Sequence, residues 1–289
     1  MATRATQGTA QITHGDGSRE FFPRTHENRP HELSANRPRE LSSITQALHT
    51  LYSAVGTVVD NLAEYIYPTR CVVCEKPGAV LCEADRERLR FIDHATACLR
   101  CAAPFGKRLC TECMTRNGPE QFAFTEAMSV LDYDETVESI ILGYKNGNER
   151  RLADELAAML AGALPLEWRL WADGLTWIPA DRLARQRRGF DHMQLVASLL
   201  AHKLGLPAYE LLAKQTAADQ RRLSRRSRRE NASKLFSVKP DTADKLSKKA
   251  NLLLIDDVFT TGATLDTAAS VLNKAGFINV RTLTIARVW

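Results

Sequence analysis

The stretch NLLLIDDVFTTGATLDTAASVLNKAG, residues 251–276, joins three unlike patterns with little chain between them. Leu252, Leu253, Leu254 and Ile255 are apolar without alternation, as in a parallel strand buried on both faces. Asp256 and Asp257 follow at its carboxyl end. Thr260, Thr261, Gly262, Ala263 and Thr264 form a loop of small and hydroxyl residues. Beyond Thr264, Leu265, Ala268, Ala269, Val271, Leu272 and Ala275 recur with a helical period, and Gly276 suits the position just past the helix end. A doubly buried strand that runs into a helix needs parallel strands beside it and helices over both faces of the sheet.

The same alternation appears upstream. FTEAMSVLDYD reads as a strand, 135–144 and 151–164 as helices, GLTWIPA as a strand entering a loop, and 190–205 as a helix ending at Gly205. NVRTLTIARVW reads as the last strand. The expectation is an α/β domain over 124–289 with a mostly parallel sheet flanked by helices. Residues 44–67 keep Ile44, Leu48, Leu51, Val55, Val58, Val59, Leu62 and Ile66 on a helical period, with Ser43 and Gln46 spaced as a capping box and Pro68 as a stop. An amphipathic packing helix is expected there, since acids rather than Lys or Arg mark its polar side. Residues 1–43 are polar, repeat NRPHELS as NRPRELS, and predict a disordered tail. With no apolar run of roughly 18 residues and no apolar leader, no membrane span is expected and the expected location is cytoplasmic. A net charge of +5 over 289 residues permits an anionic ligand without requiring nucleic acid.

All seven cysteines fall between Cys71 and Cys113. An odd number in one short window, without a secretory leader, fits metal ligation better than a disulfide framework. Cys98-x2-Cys101-x8-Cys110-x2-Cys113 is a pair of knuckles whose thiolates suit one tetrahedral zinc. Cys71-x2-Cys74-x7-Cys82-x2-Asp85 repeats that spacing with a carboxylate in the fourth place, an acceptable zinc ligand. His94 is a second candidate for that place, and an empty site is the remaining alternative. One or two structural zinc ions are therefore expected over residues 68–120. A closed four-ligand site keeps no open position, so no catalysis is assigned to it.

A loop of small residues at a helix start offers free N–H groups to an anion, and threonine hydroxyls add donors. The Asp256 and Asp257 carboxylates would repel a phosphate but suit a pair of vicinal hydroxyls. A phosphate with a diol a few ångströms away describes a phosphorylated ribose. Neither Gly-x-Gly-x-x-Gly nor a Walker A loop is present.

LLLIDDVFTTGAT closely resembles the phosphoribosyl pyrophosphate (PRPP) motif of type I phosphoribosyltransferases. The resemblance implies that Asp256 and Asp257 contact the ribose hydroxyls, that Thr260 to Thr264 wraps the 5′-phosphate, and that Mg2+ accompanies PRPP. With a zinc ribbon in front, the chain resembles the ComF/GntX family, associated with competence for DNA uptake. IPADRLARQRRGFDHMQLVA resembles that family's Arg-Arg-Gly-Phe-Asn-Gln stretch, DQRRLSRRSRRENASKLF its Gln-x-x-Leu…Arg-x-x-Asn…Phe stretch, and LGYKNGN its Leu-Lys-Tyr-Gly segment. Lys145, Arg182, Arg187, Arg188, Lys214, Gln220, Arg228 and Asn231 then become the candidates to meet pyrophosphate, and 221–229 a loop able to close over the site. Phe190, Asp191 and His192 are candidates on the acceptor side. Asp191 and His192 stand where the family has Asn-Gln, Asp85 replaces a ribbon cysteine, and the tail 1–43 lies outside the family pattern.

The function so implied is that of a PRPP-binding phosphoribosyltransferase-like protein, transferring or sensing ribose 5-phosphate, with the acceptor unread. A different reading is a non-catalytic competence factor that meets DNA through the ribbon and the Arg-rich segment. RRLSRRSRRE carries six arginines, but the ribbon segment has almost as many acids as bases and few aromatics to stack on single strands. The partners expected are PRPP or another phosphorylated ribose and, on the second reading, DNA or competence proteins.

Overall fold

The computed structural model describes residues 68–105, 108–115, 122–147, 149–214 and 235–289. The tail expected over 1–43, the helix expected over 44–67 and the Arg-rich segment 221–229 lie outside the described residues. Two short helices, α1 (Glu83–Arg86) and α2 (Thr111–Thr115), belong to the cysteine-rich segment. After them come β1 (Glu126–Asp132), α3 (Glu135–Lys145), α4 (Leu152–Ala163), α5 (Leu166–Trp171) and β2 (Gly174–Trp177). Then follow α6 (Arg182–Arg188), α7 (His192–Leu204), β3 (Leu212–Lys214), β4 (Phe236–Val238) and α8 (Pro240–Ala243). The chain closes with β5 (Leu252–Phe259), α9 (Ala263–Lys274) and β6 (Val280–Arg287).

Four strands form one parallel sheet in the order β1–β6–β5–β2, and β3 pairs antiparallel with β4 in a separate small sheet. The expected class, a mostly parallel sheet flanked by helices behind a small cysteine-rich module, is the observed one. Side chains alternate along β5 as a strand requires. Leu253 and Ile255 enter a core with Val137, Leu156, Val196 and Leu283. Leu252 and Leu254 enter another with Leu265, Ala268, Leu272 and Val280. Both faces of β5 are therefore covered, which is why its sequence shows no polar alternation. Helices α4 and α7 pack together over the first face, and α9 lies over the second. Between β1 and β6 the buried hydroxyls of Ser129 and Thr284 satisfy each other at 2.6 Å.

The cysteine-rich module lies along the outer edge of β1. The Ala127 N–H donates to Leu99 O at 2.7 Å, the Ile92 N–H to Val130 O at 2.9 Å, and the Asp132 N–H to Arg90 O at 2.9 Å. An edge strand is thereby given partners. Cys71, Leu81 and Leu89 join the core under α4 and α7, while Cys98, Cys101 and Cys113 join the core under α9. Among the described residues no helix is long and apolar enough to cross a membrane.

Three elements depart from the expectation. β2 ends at Trp177, β5 runs through both acids to Phe259, and the segment after Asp181 is the helix α6 rather than a loop. Asp181 caps α6, its Oδ1 accepting from the Leu183 N–H at 2.8 Å and the Ala184 N–H at 3.1 Å, and Gly189 ends it at φ 74°. No residue of α6 is buried, so it has no apolar period to read.

Candidate functional site

β2 stops opposite Ile255, whereas β5 stays paired with β6 as far as Phe259. Among the described residues the carboxyl end of β5 therefore has no strand on its β2 side, and Asp256 and Asp257 stand in the step. They floor a crevice of about 340 Å3. Its walls are the turn Ile178–Asp181, Ala184 and Arg188 of α6, His192 of α7, Lys145 of α3, Lys214 of β3 and Thr264 of α9. Open α/β sheets bind ligands at such a place.

Asp257 is held from two sides. Its Oδ2 accepts from Lys145 Nζ at 2.6 Å and faces His192 Nε2 at 2.9 Å. His192 Nδ1 lies 2.8 Å from Arg188 Nη1. A guanidinium can only donate, so Nδ1 is the acceptor and Nε2 carries the proton toward Asp257. The Tyr144 hydroxyl donates to His192 O at 2.5 Å and fixes the start of α7. Burial pushes that phenol up, away from ionisation.

The two acids are driven apart. Burial first, and the charge of Asp257 second, raise the Asp256 carboxyl well above the usual range. Burial acts on Asp257 in the same sense, but the His192 hydrogen bond and the Lys145 ammonium outweigh it and hold that carboxyl low. One carboxyl is thus inclined to keep a proton while its neighbour is a pinned anion. Asp256 Oδ1 also accepts the Asp257 N–H at 2.9 Å.

The loop beside them needs its glycine. Gly262 has φ 79°, and a Cβ there would stand 2.6 Å from the Phe259 ring. Thr260, Thr261, Ala263 and Thr264 are exposed. Their loop leads into the first turn of α9, whose leading N–H groups have no helical carbonyl to bond.

The other candidates divide. Lys145, Arg188 and Lys214 line the crevice, whereas Arg182 and Arg187 sit exposed on α6 outside its lining. Gln220, Arg228 and Asn231 lie outside the described residues. Of the three acceptor-side residues only His192 faces the crevice. Asp191 is consumed by the fold: Oδ1 caps α7 through the Met193 and Gln194 N–H groups at 3.1 and 3.2 Å, and Oδ2 accepts the Ala180 N–H at 2.8 Å. Phe190 lies under the Arg150 guanidinium at 4.5 Å and lines a separate, open hollow of about 500 Å3 with Arg185 and Gln194. Asp181, Tyr144 and Arg287 were not candidates from the sequence. The capping position of Asp181 before α6 is the one signal that could have been read.

The two cysteine clusters repeat one geometry. In each, the first Cys carbonyl accepts an N–H from four residues on, Glu75 and Ala102 both at 2.8 Å, and those residues have φ 62° and 57°. In each, the first Sγ accepts the N–H of the third ligand, at 3.4 Å for Cys82 to Cys71 and 3.3 Å for Cys110 to Cys98. The third ligand precedes a short helix, and the fourth, Asp85 or Cys113, is that helix's third residue. Sulfur pairs Cys74–Cys82 and Cys101–Cys110 are both 3.6 Å apart. That is near the roughly 3.8 Å edge of a tetrahedron with zinc–sulfur legs of about 2.3 Å. Asp85 Oδ2 lies 3.1 Å from the sulfurs of both Cys71 and Cys82. Thiol hydrogen bonds from Cys74, then Cys82 and Cys71, hold its carboxyl at about 2. Arg88 steadies Oδ1 at 3.2 Å. Asp85, not His94, completes the first cluster, and within each cluster the four ligand atoms lie within 4.8 Å of one another. Both donor sets fit zinc.

Comparison with known proteins agrees with this layout. A family model described as "Double zinc ribbon domain" matches residues 62–114. The DNA utilization protein YhgH of Salmonella typhi is 25% identical over 232 residues, covering 76% of this chain and 97% of the relative. The competence protein ComFC of Bacillus subtilis is 24% identical over 223 residues, covering 75% and 88%. The solved adenine phosphoribosyltransferase of Leishmania tarentolae is 13% identical, covers 56% of this chain and 79% of its own, and has a TM-score of 0.28. The fold assignment rests on strand order, not on that likeness. Ribbon model, ligand geometry and sheet together define a double-zinc-ribbon protein with a parallel α/β domain. Within that class the chain is similar to proteins named for DNA utilization and competence, which supports a ComF family assignment.

Proposed function

We propose that the chain binds PRPP, or another ribose carrying a 5′-phosphate, in the crevice at the end of β5, as a phosphoribosyltransferase-like protein of ComF type. One observation carries the reading: the acid pair in the step beside β2 adjoins the exposed loop led by Gly262, so a diol site and an anion site are neighbours. The 5′-phosphate would lie on the N–H groups and hydroxyls of Thr260 to Thr264. The ribose hydroxyls would meet Asp256 and Asp257, a carboxyl inclined to keep its proton and a carboxylate that only accepts. Pyrophosphate would face Lys145, Arg188 and Lys214. Mg2+ takes oxygen ligands, so Asp256 and Asp257 are the residues that would approach it while the ligand's oxygens hold most of it. When bound it would neutralise charge growing on departing pyrophosphate.

The test is calorimetric titration of PRPP with Mg2+ into the protein. Asp256→Asn and Asp257→Asn should each weaken binding by about tenfold or more, the scale of losing a hydrogen bond to a charged group. An inert wild type would sink both transfer and sensing. Pyrophosphate release across a panel of nitrogenous acceptors then separates an enzyme from a sensor. A role in competence or DNA utilization is the second element of the proposal, supported by the names of the relatives. A nucleic-acid-bound protein without turnover predicts DNA affinity that falls steeply with salt and is lost when the arginines of 221–229 are replaced.

A further inference from the structure

Arg287, the last residue of β6, is a buried guanidinium whose partners come from two parts of the molecule. It is 6% exposed. Its Nε donates to Cys101 O at 2.7 Å, and Cys101 is a ligand of the second ribbon. Its Nη1 donates to Thr260 O at 2.7 Å and Phe259 O at 3.2 Å, the two carbonyls that open the phosphate loop. Its charge lies 4.7 Å from the centre of the Phe259 ring. That same ring forbids a Cβ at Gly262, and it is wedged edge-on against Phe122 and Phe124. The underside of the loop is thus built from Phe259 and Arg287, and Arg287 is anchored on a zinc knuckle. The knuckle is fixed a second time, two residues earlier, by the Ala127 N–H on Leu99 O. A hollow of about 240 Å3 between ribbon and loop is lined by Cys101, Cys113, Thr260, Thr261 and Arg287. The first ribbon is tied elsewhere, through Arg86 to Glu155 of α4 at 2.8 Å and Val72 against Gly143 of α3.

We propose that Arg287 is a positioning residue for the phosphate loop, and that through it the loop's shape depends on the metal in the second ribbon and not on the metal in the first. This rests on the reading of the loop as a phosphate site. The guanidinium reaches three carbonyls at once from two of its nitrogens, a planar spread that the point-like ammonium of lysine lacks. When the Cys98–Cys101 knuckle loses its metal, the Cys101 carbonyl is no longer held, and a buried donor is left to find another partner. Thr260 and Phe259 are then free to turn, and with them the N–H groups that follow.

The experiment compares zinc-loaded wild type with Arg287→Met, Arg287→Lys, Cys110→Ser and Cys74→Ser. Three quantities are read: zinc per chain, ribose 5-phosphate affinity by calorimetry, and amide hydrogen exchange over residues 256–264. Both Arg287 variants should keep the wild-type zinc content, bind ribose 5-phosphate about tenfold more weakly, and exchange faster in the loop. Lys keeps the charge but not the fork, so unchanged affinity and exchange in Arg287→Lys would overturn the positioning role. Cys110→Ser should lose one zinc and reproduce the loop effect. Cys74→Ser should lose one zinc and leave loop exchange as in wild type. Equal loop effects from both cysteine variants would mean general destabilisation and overturn the proposal. If wild type fails to bind ribose 5-phosphate, the phosphate-site reading falls, while the exchange measurements still decide whether Arg287 couples ribbon to loop. Should Arg287→Met not fold, Cys110→Ser against Cys74→Ser carries the same decision.

Discussion

Asp256 and Asp257 share a peptide bond and little else. Asp257 faces an ammonium and an imidazole, while at Asp256 burial and a negative neighbour outweigh one backbone hydrogen bond and more distant cations. The linkage signs therefore oppose each other. The raised carboxyl of Asp256 adds nothing to the free energy of folding below the unfolded value near pH 4, and destabilises as pH rises toward and through its folded value. Asp257, held low, contributes stability that is present above about pH 4 and is lost as pH falls through its lower folded value. Asp256→Asn should accordingly raise the melting temperature at pH 7 by a few degrees, with the gain vanishing near pH 3, while the same variant weakens PRPP binding. A melting temperature unchanged at pH 7 would show that the buried carboxyl costs nothing. Lys145→Met should act in the opposite direction, lowering stability at neutral pH, because it strips the anion of its nearest cation. The acid pair and its loop were legible in the sequence because they are contiguous in it, an apolar strand running into Asp256, Asp257 and a loop of small and hydroxyl residues. The pairing of Lys145 and His192 on one carboxylate oxygen was not, since α3, α7 and β5 meet only in three dimensions.

At the level of elements, the strand–loop–helix β5–α9 was readable for the reason α6 was not. β5 declares itself through an unbroken apolar run and α9 through an apolar period of 3.6, whereas α6 buries no residue and leaves only caps as evidence. The overrun of β5 past β2 was also hidden, because a strand's sequence does not say where its neighbour ends. Gly262 supplies a sharp test of this unit. Gly262→Ala combines a left-handed φ with a Cβ 2.6 Å from an aromatic carbon, and should cost about 1–3 kcal/mol in a chemical melt while disordering the loop. Gly162, whose added Cβ would meet nothing within 4 Å in the last turn of α4, is the matching control. Gly162→Ala should stabilise by up to about 1 kcal/mol through helix propensity. Asp191→Ala should remove both the α7 cap and the tie to Ala180, at about 1–2 kcal/mol, and thereby shift His192 out of the crevice.

Across the whole molecule, the cysteine spacing made the ribbons legible, and the structure adds where they are fastened. Metal analysis should find two zinc ions per chain, and Asp85→Ala should leave about one, since the first cluster then keeps three ligands. Asp85→Cys should retain both. The module also guards β1, lending its N–H and C=O groups to a strand that, among the described residues, has a neighbouring strand on one side only, and it contributes to the cores on both faces of the sheet. A chain limited to residues 124–289 should for that reason aggregate, as exposed sheet edges template further pairing. Metal starvation would then be felt as a question of supply: chains made without zinc would be cleared or precipitated, and the amount of protein would follow the zinc available to the growing cell.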